Sequence, residues 1–166
     1  MYFACIIGFS LLALVLQTTL FSKIPIHGAK PDLILIIVSY LSLAKGAETG
    51  AVLGFLLGLL QDILSGVFLG SNALAKTILG FVLGSIGKRL YVNSLLLQIF
   101  FVFILTFVDE ILLAGLALML KSYSTQDILN QWIRIAPSEA IYNSVLCPFV
   151  IVPFKLVETT FGSPQK

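Results

Sequence analysis

The chain has 166 residues, of which 58% are apolar and 11% charged, with a formal net charge of +2. Soluble domains carry about 25% charged residues, and a mean hydropathy of +1.06 would put large apolar patches against water. These values exclude a soluble globule and, through the weak positive charge, a nucleic-acid binder.

The bilayer is the solvent that suits this composition. A helix needs about 20 apolar residues to cross it, so six spans leave only short loops and a tail, with no room for a catalytic domain outside the membrane. The expected fold is all-α integral membrane: one domain over residues 1–166, a bundle of about six transmembrane helices.

The first span covers about 2–21. It starts Met1-Tyr2-Phe3-Ala4 with no basic n-region, and no small-x-small cleavage site follows, so it reads as a retained helix and not a signal peptide. Cys5 and Cys147 both lie in apolar runs and form no CxxC, which reads as reduced thiols. The loop 22–30 holds Pro25, Gly28 and the single histidine, His27, which reads as a solvated residue and not a metal ligand. The second span, about 31–45, opens with Pro31-Asp32, a proline and a carboxylate suited to a helix start. Its apolar run is short for a ~30 Å hydrocarbon core. It borrows flanking residues, thins the bilayer, or does not cross.

The third span covers about 47–65 and the fourth about 72–87, ending before Lys88-Arg89. The fifth, about 92–120, carries two adjacent intramembrane acids of unknown role, Asp109 and Glu110. Neighbours on a helix point about 100° apart, so one is expected to face the bundle and the other a crevice or the interface. In the stretch of about 125–135, Ser124 and Asp127 form a capping-box-like start. Ile128, Leu129, Trp132 and Ile133 share one face, opposite Asp127, Asn130, Gln131 and Arg134. That pattern predicts a short helix lying in the interface before the last span, with Trp132 as its headgroup-level anchor. The sixth span, about 138–160, is expected to kink at Pro148 and Pro153, with Glu139 capping it or lying at the membrane surface.

With the N-terminus inside, the inner loops and tail carry Lys45, Lys88, Arg89, Lys155 and Lys166, and the outer loops Lys23, Lys30, Lys121 and Arg134. The small excess favours both termini in the cytoplasm.

Seven positions at spacing four stand out: Gly46, Gly50, Gly54, Gly58, Asp62, Gly66 and Gly70. Such spacing lays a smooth groove along a helix, and close approach over small residues drives association in lipid. The groove serves either internal packing, with the third span as the buried central helix, or a second protein's helix. Asp62 is costly at membrane depth and calls for a partner. Lys76, in the first turn of the fourth span, is the expected one, giving a buried polar pair. A contact to a partner protein and a proton or ion relay are the other readings. Nothing suggests a nucleophile with its base or a phosphate-binding loop. No catalytic, cofactor-binding or metal residue is assigned.

Pro31-Asp32 opening a short span, then Gly50-Ala51-Val52-Leu53-Gly54-Phe55, Gly58-Leu59-Leu60-Gln61-Asp62 and Leu69-Gly70-x-Asn72-Ala73-Leu74 resemble the rod-shape-determining membrane protein family, MreD. The resemblance implies a non-enzymatic, multi-pass protein of the bacterial cytoplasmic (inner) membrane, with no cofactor. It implies direct binding to MreC, a single-span protein with a periplasmic domain. MreB, RodA and a penicillin-binding protein would belong to the same elongation assembly. That architecture also resembles the S components of energy-coupling-factor vitamin transporters, and a substrate-binding S component is the alternative function.

Overall fold

The computed structural model describes residues 2–66, 68–87, 94–120 and 125–161. They form six helices: α1 (Tyr2–Thr19), α2 (Leu33–Lys45), α3 (Ala47–Ser65), α4 (Ser71–Gly87), α5 (Leu95–Met119) and α6 (Thr125–Phe161). Lys88, Arg89, Lys121, Ser124 and Lys166 lie outside the described residues, as does the side chain of Asp127.

The short second span becomes the centre of the molecule. Asp32 caps α2 by accepting the Leu35 N–H at 3.0 Å, and Gly46 (φ 96°) ends it after 13 residues. Every side chain from Leu33 to Ser42 is buried. A helix that is apolar all round is stable only when covered on all sides, and the other five helices supply the cover. α1 meets α3 and α6, α3 meets α4, α4 meets α5, α5 meets α6, and all five touch α2. Phe9 and Phe154 close the α1–α6 side edge to face at 4.7 Å. At 13 residues α2 spans roughly 20 Å, less than the hydrocarbon core, and presents almost no surface to lipid.

This corrects the expectation that the third span could be the buried central helix. α3 has one covered face and one lipid-facing face, the latter carrying Val52, Phe55, Leu56 and Ile63. Its covered face packs antiparallel on α4 in a regular register. Gly50 lies against Gly80, Gly54 against the backbone of Lys76, and Gly58 against Asn72 and Ala73. From the other side, Gly84 meets Gly46 and Ala47. A Cβ at Gly58 would lie 2.6 Å from the Asn72 carbonyl oxygen, and one at Gly54 would collide with the Lys76 carbonyl. The backbones touch because no side chains separate them.

The stripe therefore divides by role. Gly50, Gly54 and Gly58 make the groove, which α4 fills. Gly66 (φ 66°) and Gly70 (φ 103°) supply the left-handed turns between α3 and α4, with open space where a Cβ would stand.

Four helices hold segments long and apolar enough to cross a membrane: Cys5–Lys23, Ala47–Ser65, Leu95–Met119 and Ile128–Leu156. The amphipathic stretch of 125–135 is not a separate helix. It is the first part of α6, which runs unbroken for 37 residues with Pro137 inside it. A proline in a membrane helix removes one hydrogen bond without ending the helix where neighbours support it. Trp132 is half-buried, its ring meeting Phe107 of α5 at 6.2 Å.

The glycine contacts predict a sharp contrast. Gly58→Ala should lower stability by about 1–3 kcal/mol through overpacking against α4 backbone. Gly115→Ala, on α5 with nothing within 4 Å of the new methyl, should be neutral or gain about 0.5–1 kcal/mol. Thermal unfolding of the detergent-purified variants measures both.

Candidate functional site: a lysine buried among carboxylates

The polar side chains of the bundle gather at the first turn of α2. α4 starts from the Gly70 turn and carries Lys76 in its second turn, fully buried. Because the Lys76 backbone rests on Gly54, the side chain leaves α4 away from α3, towards α2 and α5. An ammonium has three protons to donate, and three acceptors receive them. Asp32 Oδ2 lies at 2.7 Å, Asn72 Oδ1 at 2.8 Å and Asp109 Oδ2 at 3.4 Å.

Asp32 is the better satisfied of the two acids on Lys76. One oxygen accepts the Leu35 N–H, and the other takes both the ammonium and Gln61 Nε2 at 3.1 Å. The Asp32 backbone N–H donates to Asn143 Oδ1 of α6 at 2.8 Å, and Asn143 Nδ2 donates to Thr106 Oγ1 of α5 at 3.1 Å. On α1, Gln17 Oε1 accepts the next backbone N–H, that of Leu33, at 2.9 Å. All six helices thus place a polar side chain on the start of α2 or on the lysine that pairs with it. Orphan N–H groups at a helix start need such partners, the more so without water.

The expected Asp62–Lys76 pair does not form. Asp62 folds over the start of α4: Oδ1 accepts Asn72 N at 3.1 Å and Asn72 Nδ2 at 2.9 Å, and Oδ2 accepts Gly70 N at 2.9 Å and Ala73 N at 3.2 Å. A carboxylate between two helices can serve an ammonium or a helix N-terminus, and here four N–H donors hold it. Asn72 connects the two groups, giving its amide to Asp62 and its oxygen to Lys76.

Asp109 and Glu110 diverge as adjacent helical residues must. Asp109 turns inward to Lys76 and is 2% exposed. Glu110 is half-buried beside it. Glu139 is not at the membrane surface: it lies within α6 and is buried. Sequence reasoning missed Asp32 as the lysine's partner, along with Gln17, Asn143 and Thr106. One signal was available, since Asn72, Lys76, Gly80 and Gly84 repeat at spacing four on α4 and mirror the α3 stripe.

A second polar region sits at the same end of the bundle, where the α1–α2 loop meets the first turns of α6. His27, Gly28, Asn130, Gln131, Arg134 and Ile135 line a surface cleft of about 430 Å³. Among the described residues, no three His, Cys, Asp or Glu side chains are grouped to hold a metal ion.

A buried helix, a ring of five around it and one ionic centre define a multi-pass membrane bundle. Residues 1–160 match the family model of the rod shape-determining protein MreD, and the chain belongs to that family. No curated protein and no solved structure matches it. Family membership gives the chain a role in rod-shape determination.

Removing the ammonium should be far more damaging than removing the cap. Lys76→Met leaves Asp32 and Asp109 uncompensated and should lower stability by about 3–5 kcal/mol, part of it recovered by adding Asp109→Asn. Asp62→Ala should lose about 0.5–2 kcal/mol, as for a helix N-cap. Unfolding of the three variants in one detergent gives the comparison.

Proposed function

We propose that this chain is a non-enzymatic scaffold of the cell-elongation complex in the bacterial inner membrane, with both termini in the cytoplasm. It binds MreC directly and helps couple MreB filaments to peptidoglycan synthesis by RodA and its penicillin-binding partner. The family match over residues 1–160 carries this reading. The geometry agrees with it. Lys76, Asp32, Asp62, Asn72 and Asn143 spend their buried polar groups on one another and on helix starts, which suits a rigid frame. The outer faces are broad and apolar, with Phe55 on α3, Phe81 on α4, Phe100 on α5 and Phe149 on α6 all exposed.

The scaffold reading now excludes the Gly50–Gly54–Gly58 groove as the seat of a partner helix, because α4 occupies it. A partner's span therefore has to use a lipid-facing side. A photo-crosslinking residue placed in turn at Leu12, Phe55, Phe81, Phe100 and Phe149, with MreC co-expressed, tests this. Crosslinks to MreC should concentrate at one or two of these positions. No crosslink at any of them, together with no co-purification, would overturn the scaffold reading. A small molecule retained stoichiometrically in native mass spectrometry would favour the transporter S component instead, with the His27–Arg134 cleft as the place to look.

A further inference from the structure

The ammonium of Lys76 is consumed by acceptors inside the bundle, but the polar groups of the surface cleft are not. His27 and Gly28 of the α1–α2 loop face Asn130, Gln131, Arg134 and Ile135 of α6 across about 430 Å³, a volume within the range of small-ligand sites. His27, Asn130, Gln131 and Arg134 are exposed, and no side-chain hydrogen bond or ion pair among the described residues uses them. Together they offer several N–H donors and the permanent positive charge of a guanidinium. None of the six lining residues is acidic. A planar guanidinium flanked by further donors suits a phosphate group. The loop side of the cleft has a set shape. Ile26 and Ala29 exchange two backbone hydrogen bonds, at 3.0 and 2.9 Å, around a two-residue turn with His27 at φ 53° and Gly28 at φ 86°.

The length of α6 places the cleft at the bilayer surface. Its 37 residues extend roughly 55 Å, more than a bilayer with its head groups, about 40–45 Å. Lys155, near the far end of α6, marks the depth at which a lysine ammonium reaches water. About 20 residues back from it, one hydrocarbon thickness away, stands Ile135. Arg134, Gln131 and Asn130 therefore lie at head-group level, where Trp132 also belongs. The face of α6 that carries Arg134 continues down into the bilayer. Ile141, Val145 and Val152 follow it at about two, three and five helical turns, and they are 60%, 58% and 45% exposed. A cation at head-group level above an apolar stripe fits a phosphate joined to hydrocarbon chains. A soluble phosphate would leave the stripe unused.

We propose that the cleft between the α1–α2 loop and the first turns of α6 binds the phosphate head group of an anionic phospholipid. Arg134 pairs with the phosphate, and His27, Asn130 and Gln131 donate to the phosphate and to the hydroxyls beyond it. The acyl chains lie along Ile141, Val145 and Val152. A zwitterionic lipid is a poorer occupant, because its own cation would be brought up to Arg134. The bound lipid bridges two elements that are far apart in the chain, and so ties the loop to α6 in a manner set by the composition of the leaflet on that side.

Trp132 is the single tryptophan of the chain and stands two positions from Arg134, so its fluorescence reports on lipid at this place. The test uses the full-length protein in phosphatidylcholine vesicles containing increasing fractions of phosphatidylglycerol with a nitroxide near the top of one acyl chain. Nitroxide-labelled phosphatidylcholine serves as the reference. Half-quenching should need about five-fold less labelled phosphatidylglycerol than labelled phosphatidylcholine, the worth of one basic residue against an anionic lipid. Arg134→Gln, at an exposed position, should abolish that preference. Lys23→Gln, which removes the same charge from the same loop outside the cleft, should keep it. Equal quenching by the two lipids in the wild type overturns the proposal. So does loss of the preference in Lys23→Gln as complete as in Arg134→Gln, which would show diffuse charge and no site. Relief of the phosphatidylglycerol quenching by soluble glycerol phosphate overturns it too, since the cleft would then take a free phosphate compound and not a lipid.

Discussion

A lysine ammonium cannot sit in a membrane interior without acceptors on every side, and the arrangement of this bundle follows from meeting that requirement once. The acceptors come from different helices: Asp32 from the start of α2, Asn72 from the turn before Lys76 on α4, and Asp109 from α5. Each is held in turn by a neighbour, Gln61 of α3 on Asp32 and Asn143 of α6 on the Asp32 backbone. A buried ion pair adds little net stability compared with well-packed apolar groups, yet it penalises every arrangement that leaves one partner alone. In lipid, where apolar side chains have no preference for one another over the solvent, such a penalty is a strong way to select one arrangement of six helices.

The glycine register makes that arrangement reachable. α4 has to lie close enough to α2 and α3 for the Lys76 side chain to meet Asp32, and it must be rotated so that the side chain points inward. Contact of Gly54 with the Lys76 backbone fixes both at once, and the contacts of Gly50 with Gly80 and Gly58 with Asn72 keep the two helices in step on either side. Bulk at any of these positions would push α4 out and draw the ammonium away from its carboxylates. The small-residue face and the ionic centre are therefore two parts of one device.

Composition and apolar run length were enough to read the all-α membrane class. The short run after Asp32 was visible too, but its meaning was not. A 13-residue apolar helix can be a poor span or a buried core, and only the five helices around it decide. The Asp62–Lys76 pairing failed for a local reason: the Gly66–Gly70 turn brings the start of α4, with its free N–H groups, to Asp62 before the lysine can reach it. Asp32 looked like a helix cap, which it is. Its second oxygen serves Lys76, 44 positions further along the chain, and no local pattern encodes that. At Pro137-Ser138 the sequence carries the marks of a helix boundary, yet α6 continues through it.

The two ends of the bundle are held by different physics. At the end where α2 finishes, backbone lies on backbone: Gly84 on Gly46 and Ala47, and Gly87 on Leu43. At the end where α2 starts, charge and hydrogen bonds take over. α5 belongs to that second regime. It packs chiefly on α6, and the polar ties of its described residues to the rest include the longer of the two lysine–carboxylate contacts, at 3.4 Å, and the Thr106–Asn143–Asp32 chain. Contacts between small residues are indifferent to charge, whereas ionic ones depend on every proton nearby. The α2–α3–α4 unit is therefore the fixed part of this frame, and the α5–α6 pair is the part whose attachment can be altered without breaking the rest.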